Sequence, residues 1–335
     1  MTVAPLSAVA NGRGHIVLEQ SIPELQSGAW QLSSWLITRV LEHPPHRIVF
    51  GVLRYRPREQ RRILRQEIAA KFYGTDAGPR AHGALQELWR AGFRPPGRHR
   101  VARPLGYAAD HRILFQSRAP GVRWGDLLSV GGLALDAASA QSATWLLQLQ
   151  HRRASPVAHG EGPDGANDRL AARELLATFP DASGLRVVTE TLLDRLHSPG
   201  TPQVLSHGGF HPMNVFTTPR LTTAIDFDKF GRREAAYDVG YAIGRLLTTS
   251  YFELGTLAPG ARAALAFWRR YERQGPAPWS RVAVQVARFL LQSVHFELCA
   301  LRKDRPELVP LWVTLMDGWL QSSGPITLER LVSHS

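Results

Sequence analysis

Residues 204–214 read Val204-Leu205-Ser206-His207-Gly208-Gly209-Phe210-His211-Pro212-Met213-Asn214, and Ile225-Asp226-Phe227-Asp228 follows shortly after. The first three residues are a short apolar lead-in. Gly208-Gly209 then permits a tight backbone turn that presents His207, His211 and Asn214 from one loop. Residues 215–217, the turn Thr218-Pro219-Arg220 and residues 221–225 read as a β-hairpin, which is expected to fold Asp226 back beside Asn214. An amide oxygen next to a carboxylate suits magnesium, a hard cation that shares its coordination shell with nucleotide phosphates. Taken singly, His207 and His211 fit satisfied loop histidines and Asp226 fits a turn cap. The spacing as a whole carries the metal reading.

Outward from this stretch the chain changes character twice. Residues 21–42 read as a helix closed by Pro44-Pro45, so that residues 1–45 form an N-terminal helical extension. From His46 to Arg118 the pattern is strand-rich. Residues 48–53 and 63–73 make a hairpin that ends on Lys71, residues 84–89 recur at helical spacing up to Gly92, and residues 102–107 and 113–116 form a further strand pair. Beyond residue 119 the chain reads as helical to its end, with patterns at 139–150, 168–179, 235–247, 261–271, 281–301 and 308–320. A Gly/Pro-rich surface loop spans 155–167. The expected fold class is α+β, with a small sheet-rich lobe (46–118) and a larger helical lobe (119–335) that carries the loop 204–228.

The 335 residues and 44% hydrophobic content suffice for such a pair of cores. No run of about 18 uncharged apolar residues occurs, and no basic patch followed by an apolar segment opens the chain, which points to a cytoplasmic protein without a membrane partner. Cys299 is the only cysteine, so neither an internal disulfide nor a cysteine-based zinc site can form. The formal charge of +12 comes almost wholly from arginine, lysine occurring only at Lys71, Lys229 and Lys303. Arginine suits phosphate and carboxylate contacts. Basic tracts interleaved with aromatics are missing, which argues against nucleic acid.

The loop 207–214 with Asp226 resembles the signature of the aminoglycoside phosphotransferase-like family, His-Gly-Asp-x-His-x-x-Asn followed by Ile-Asp-x-Asp. Ala236-Tyr237-Asp238-Val239-Gly240 resembles that family's helix-opening segment, and the resemblance runs from about residue 46 to 320. It implies a two-lobed, protein-kinase-like fold using ATP and Mg2+. By the resemblance, Asn214 and Asp226 are the metal ligands and Lys71 contacts the nucleotide phosphates. Glu87 is the candidate helix carboxylate pairing with that lysine, Glu67 being a second possibility. Gln116 and Arg118 belong to the adenine-binding hinge, and Arg56-Pro57-Arg58-Glu59 is the expected phosphate-covering loop.

The family's catalytic aspartate is replaced here by Gly209, which can neither accept a proton nor orient a hydroxyl. General-base assistance is worth about 10²- to 10⁴-fold, whereas phosphoryl transfer leans heavily on positioning and charge neutralisation. Two readings follow: an atypical phosphotransferase in which Asp228, the substrate or a protein partner supplies the missing group, and a pseudokinase that binds nucleotide as a scaffold. Acidic residues in the helical lobe are sparse and flanked by arginines, so the expected acceptor is a neutral or anionic hydroxyl-bearing small molecule or peptide, such as a biosynthetic intermediate.

Overall fold

The computed structural model describes residues 12–43, 46–152, 165–182, 184–198 and 200–333. Most of the glycine- and proline-rich loop expected at 155–167 lies outside them. The chain divides into two compact units, Met1–Pro120 with Thr223–Lys229, and Gly121–Thr222 with Phe230–Ser335. Residues 223–229 therefore belong with the first unit although the residues on either side of them belong to the second.

The first unit opens with two helices, α1 (Gly12–Ser21) and α2 (Pro23–Gln26). A five-stranded antiparallel sheet follows in the order β1-β2-β3-β6-β5, built from β1 (Trp30–His43), β2 (His46–Pro57), β3 (Leu64–Tyr73), β5 (Pro104–Ala108) and β6 (Ile113–Ser117). Helix α3 (Ala77–Arg90) and the short β4 (His99–Val101) lie between β3 and β5 in the chain. The helix expected over residues 21–42 is corrected: only its first turns are helical, and residues 30–43 form the edge strand β1. The apolar positions of this segment do not recur at 3.6 residues. Trp30, Leu32, Trp35 and Ile37 instead pack on one side of the sheet, and the β-branched Ile37, Thr38 and Val40 favour the extended chain. The core on that side joins Val17, Leu18 and Ile22 to Val49, Leu53, Ile68, Ala70, Phe72, Ile113 and Phe115. Each such side chain contributes about 1.5–3 kcal/mol by leaving water.

The second unit is mainly helical, with α4 (Gly132–Gln150), α5 (Gly165–Thr178), α6 (Leu185–His197), α7 (Ala236–Leu254), α8 (Ala258–Tyr271), α9 (Trp279–His295), α10 (Leu308–Leu320) and α11 (Ile326–Ser333). Its short strands are β7 (Val122–Arg123), β8 (Gln203–Ser206), β9 (Val215–Thr217) and β11 (Gly231–Glu234); β10 (Thr222–Ala224) straddles the point where the chain returns to the first unit. Helix α7 packs on α8 and α9, α4 on α8, and α10 on α9. Trp145, Trp312 and Trp319 are fully buried among them. No described helix is long and apolar enough to cross a membrane.

Gly240 shows how tightly α7 and α9 approach. A Cβ there would lie 2.3 Å from Gln285 Cβ and 2.9 Å from the backbone nitrogen of Val286. Gly240→Ala is expected to destabilise the fold by about 1–3 kcal/mol, the usual cost of overpacking, measured by urea unfolding.

Candidate active site

Strand β3 places Lys71 by alternation. Ile68, Ala70 and Phe72 enter the core, so Ala69, Lys71 and Tyr73 take the opposite face. Residues directly opposite in antiparallel register share a face. Lys71 therefore lies beside Ile48 of β2 and Leu114 of β6, Ala69 beside Phe50 and Gln116, and Glu67 beside Val52. Gln116 is 8% exposed on this face. The result is an apolar surface with one amide and one ammonium, suited to a flat heterocycle at one end and phosphate at the other.

Two carboxylates reach Lys71 from the returning segment 223–229. Lys71 Nζ donates to Asp226 Oδ1 at 2.6 Å and to Asp228 Oδ2 at 2.7 Å. Tyr73, two residues along β3 and so on the same face, donates its hydroxyl to Asp228 Oδ1 at 2.8 Å. His46 Nε2 stands 3.6 Å from Asp228 Oδ2. Burial works against the Lys71 charge, but Asp226 and Asp228 outweigh it and raise its pKa above the ordinary lysine value. Burial also raises the pKa of Asp228, with Lys71 opposing and Asp226 reinforcing the shift. Burial, and then the Asp228 charge, push the Tyr73 phenol upward, so Tyr73 is a neutral donor. Asp226 has φ +70°, in the left-handed region that residues other than glycine rarely adopt. Such strain persists where surrounding contacts demand it, and it concentrates at functional sites.

Two expectations at this site are revised. The Arg56–Glu59 stretch does not lie near Lys71: the pair Tyr55↔Leu64 is seven rows from Ile48↔Lys71, roughly 23 Å along the strands. The end of the β1–β2 pair at which His43 stands opposite His46 is the Lys71 end instead. Glu67, four residues from Lys71 along the strand, is not its partner: it pairs with Arg118 at 3.0 Å and Arg65 at 3.3 Å. Arg118 is thus tied to Glu67 by side chain, and its backbone nitrogen also donates to the Glu67 carbonyl. Glu87 lies half-buried on α3 beside the buried Leu88.

In the second unit, the loop 206–214 is held by a residue that the motif reading quoted without assigning it a role. Asp238, fully buried in the first turn of α7, accepts hydrogen bonds from Ser206 Oγ (2.9 Å), His207 N (2.7 Å) and Gly208 N (3.0 Å). Gly208 has φ +78°, which accounts for glycine at that position. His207 is fully buried, edge-on to Trp145 and Phe210, and its Nδ1 accepts from Gly209 N at 3.3 Å. Its ring thereby props the backbone of Gly209. Asn214 Nδ2 donates to the Gly209 carbonyl at 3.2 Å, which orients the amide. Gly125 steadies the other side of the loop, donating to Pro212 O at 3.0 Å.

Asp226 offers carboxylate oxygens, the donors that a hard divalent cation requires. The Asp226 side chain is 40% exposed, which leaves the carboxylate open to solvent and to a cation. No group of three or more His, Cys, Asp or Glu side chains suited to a metal occurs among the described residues.

Asp238→Ala is expected to cost about 3–5 kcal/mol in chemical unfolding, since it strands the buried His207 N–H and the Ser206 hydroxyl and takes one of two acceptors from Gly208 N. Lys71→Met should cost a similar amount near neutral pH by leaving the largely buried Asp228 carboxylate without its cation. Because the folded-state pKa of Lys71 is raised, its contribution is complete below the unfolded value of about 10.4 and is lost as pH rises through the folded value. The stability gap between wild type and Lys71→Met should therefore narrow in strongly alkaline buffer, and also in acid as Asp228, whose pKa is raised by burial, takes up a proton, as read from unfolding curves across pH.

The chain is similar in structure to a choline/ethanolamine kinase family protein from Mesorhizobium loti, at 13% sequence identity over 96% of this chain and 99% of that one, with a TM-score of 0.57. It is also similar to an amicoumacin kinase in complex with AMP-PNP and Ca2+ (14% identity, 88% and 91% coverage, TM-score 0.55). A third similar structure is a thermostable mutant of an aminoglycoside phosphotransferase in a ternary complex with ADP and hygromycin B (15% identity, 88% and 95% coverage, TM-score 0.55). A search of curated protein sequences found no match. At these identities the likeness shows the fold, which is protein-kinase-like, with a β-sheet N-terminal region and a helical C-terminal region. The model of the phosphotransferase enzyme family, APH, matches residues 52–283, more than half of the sequence, and the chain belongs to that family.

Proposed function

We propose that this protein binds ATP with Mg2+ and transfers a phosphoryl group to a hydroxyl of a small molecule, at a rate limited by the missing proton acceptor. The observation that carries this reading is the Lys71–Asp226–Asp228 cluster, with Asp226 in a strained backbone conformation. A buried ammonium on an apolar strand face is a phosphate contact in waiting. Asp226 and Asn214 would hold the cation, which supplies charge neutralisation for the phosphates when bound. Asp228, with its oxygens already taken by Lys71 and Tyr73, serves to hold the lysine rather than to receive a substrate proton.

The acceptor we propose is neutral or anionic. In the second unit Asp168 pairs with Arg288, Glu234 with Arg281, Asp136 with Arg262 and Glu297 with Lys303. Carboxylates already neutralised within the fold leave little to attract a polycation. The similar kinase and phosphotransferase structures hold amicoumacin or hygromycin B, which supports a small-molecule acceptor.

Gly209 favours a second reading, a nucleotide-binding scaffold without turnover, and the same position separates the two. Unlike Gly208, Gly209 is not among the residues with positive φ, and a Cβ there meets only His207 Nδ1 at 3.8 Å and Asn214 Nδ2 at 4.0 Å. A Cβ therefore fits at this position without backbone strain. ATP with Mg2+ is expected to raise the melting temperature of the wild type, and Lys71→Met to abolish that shift. Gly209→Asp should accelerate ATP consumption with hydroxyl acceptors by about 10²- to 10⁴-fold. Binding with no turnover in either form would favour the scaffold, and the absence of any thermal shift would defeat both readings.

A further inference from the structure

The end of the β2–β3 hairpin remote from Lys71 carries a concentration of charge that the nucleotide site does not use. Arg54, Arg56, Arg58, Arg61, Arg62 and Arg65 fall within twelve residues and are all exposed. On β2, Arg54 and Arg56 alternate with the buried Leu53 and Tyr55, so they share one face. Arg65 reaches Glu67 at 3.3 Å, but the side chains of Arg54, Arg56, Arg58, Arg61 and Arg62 have no ion-pair partner among the described residues. Arg54 moreover stands directly opposite Arg65 in the β2–β3 register. Like charges in that relation repel at Cβ separations of about 5 Å and destabilise the sheet.

A groove of about 650 Å³ runs between α1–α2, which pack on the opposite face of the sheet, and the start of β1, and of these arginines Arg56 and Arg58 reach it. Its walls include Gln20, Gln26, Gln31 and Trp30, its rim includes Arg56 and Arg58, and Glu19 is its one acid. Three amide side chains at a sheet edge can donate to and accept from a peptide backbone, while the arginines supply bidentate partners for carboxylates. Single-stranded nucleic acid would need an open aromatic face to stack on. Trp30 does not provide one, being stacked on Tyr55 at 4.1 Å with Arg103 over its ring. A flat lipid surface would meet protruding apolar side chains rather than a groove, and Ile63 is the one large apolar side chain exposed on this turn.

We infer that this arginine-lined groove docks an extended, acidic peptide segment of a partner protein. The site is separate from Lys71 and does not depend on the phosphotransferase reading.

The test uses the full chain and a fluorescently labelled glutamate-rich dodecapeptide, with an oligouridine of equal length and phosphatidylserine vesicles as competing arms. The peptide is expected to bind with micromolar affinity that falls as salt rises. The double variant R56E/R58E should weaken it at least about tenfold, whereas R186E, a charge reversal on α6, should change it less than about twofold. Should the double variant fold poorly, Arg58→Gln alone should weaken the peptide about threefold. The inference is overturned if the RNA or the vesicles bind at least as tightly as the peptide, if R186E weakens binding as much as R56E/R58E, if neither R56E/R58E nor Arg58→Gln weakens it, or if no peptide binding is seen.

Discussion

An ammonium group that is nine-tenths buried must be matched by negative charge or give up its proton, and Lys71 is matched twice, by Asp226 and Asp228. Much of the first unit can be understood from that requirement. Strand alternation aims Lys71 away from the apolar core. The return of residues 223–229 to the sheet brings the carboxylates across 155 and 157 positions of sequence. Tyr73 then occupies the remaining oxygen of Asp228, and the left-handed backbone at Asp226 is tolerated because the ion pair holds it there.

The second unit solves a different problem, the stabilisation of a loop rich in unpaired backbone donors. Asp238 answers it from a helix N-terminus, where negative charge is favoured, with three hydrogen bonds to residues 206–208. His207 extends the brace to Gly209. A Cβ at position 209 would find room between His207 and Asn214. The bracing of the loop by Asp238 and His207 therefore does not depend on a side chain at that position.

Legibility differed from residue to residue for identifiable reasons. The loop 207–214 and the apolar runs around Lys71 were readable because glycine pairs and short strands leave local signatures. The edge strand β1 was misread as helix because its two register irregularities, between Leu32 and Ser34 and between Ile37 and Arg39, break the period-two pattern that marks a strand. Arg56–Glu59 was placed over the phosphates because it follows the first confidently read strand; the strand before it was missing from that count, so the hairpin tip was assigned to the wrong end. Tyr73 and His46 carry no motif, and only their place on the Lys71 face reveals them.

By itself the sequence determined the chemical inventory: a lone sheet lysine, an Asn and Asp at a spacing fit for a hard cation, and glycine where a proton acceptor is expected. Those are properties of residue type and short-range spacing, which the chain carries whether folded or not. The tertiary structure decided the partnerships: Lys71 with Asp226 and Asp228, Glu67 with Arg118, Asp238 with the loop, and Arg54 against Arg65. Each depends on register and on which groups are withdrawn from water together, and neither is encoded at any single position.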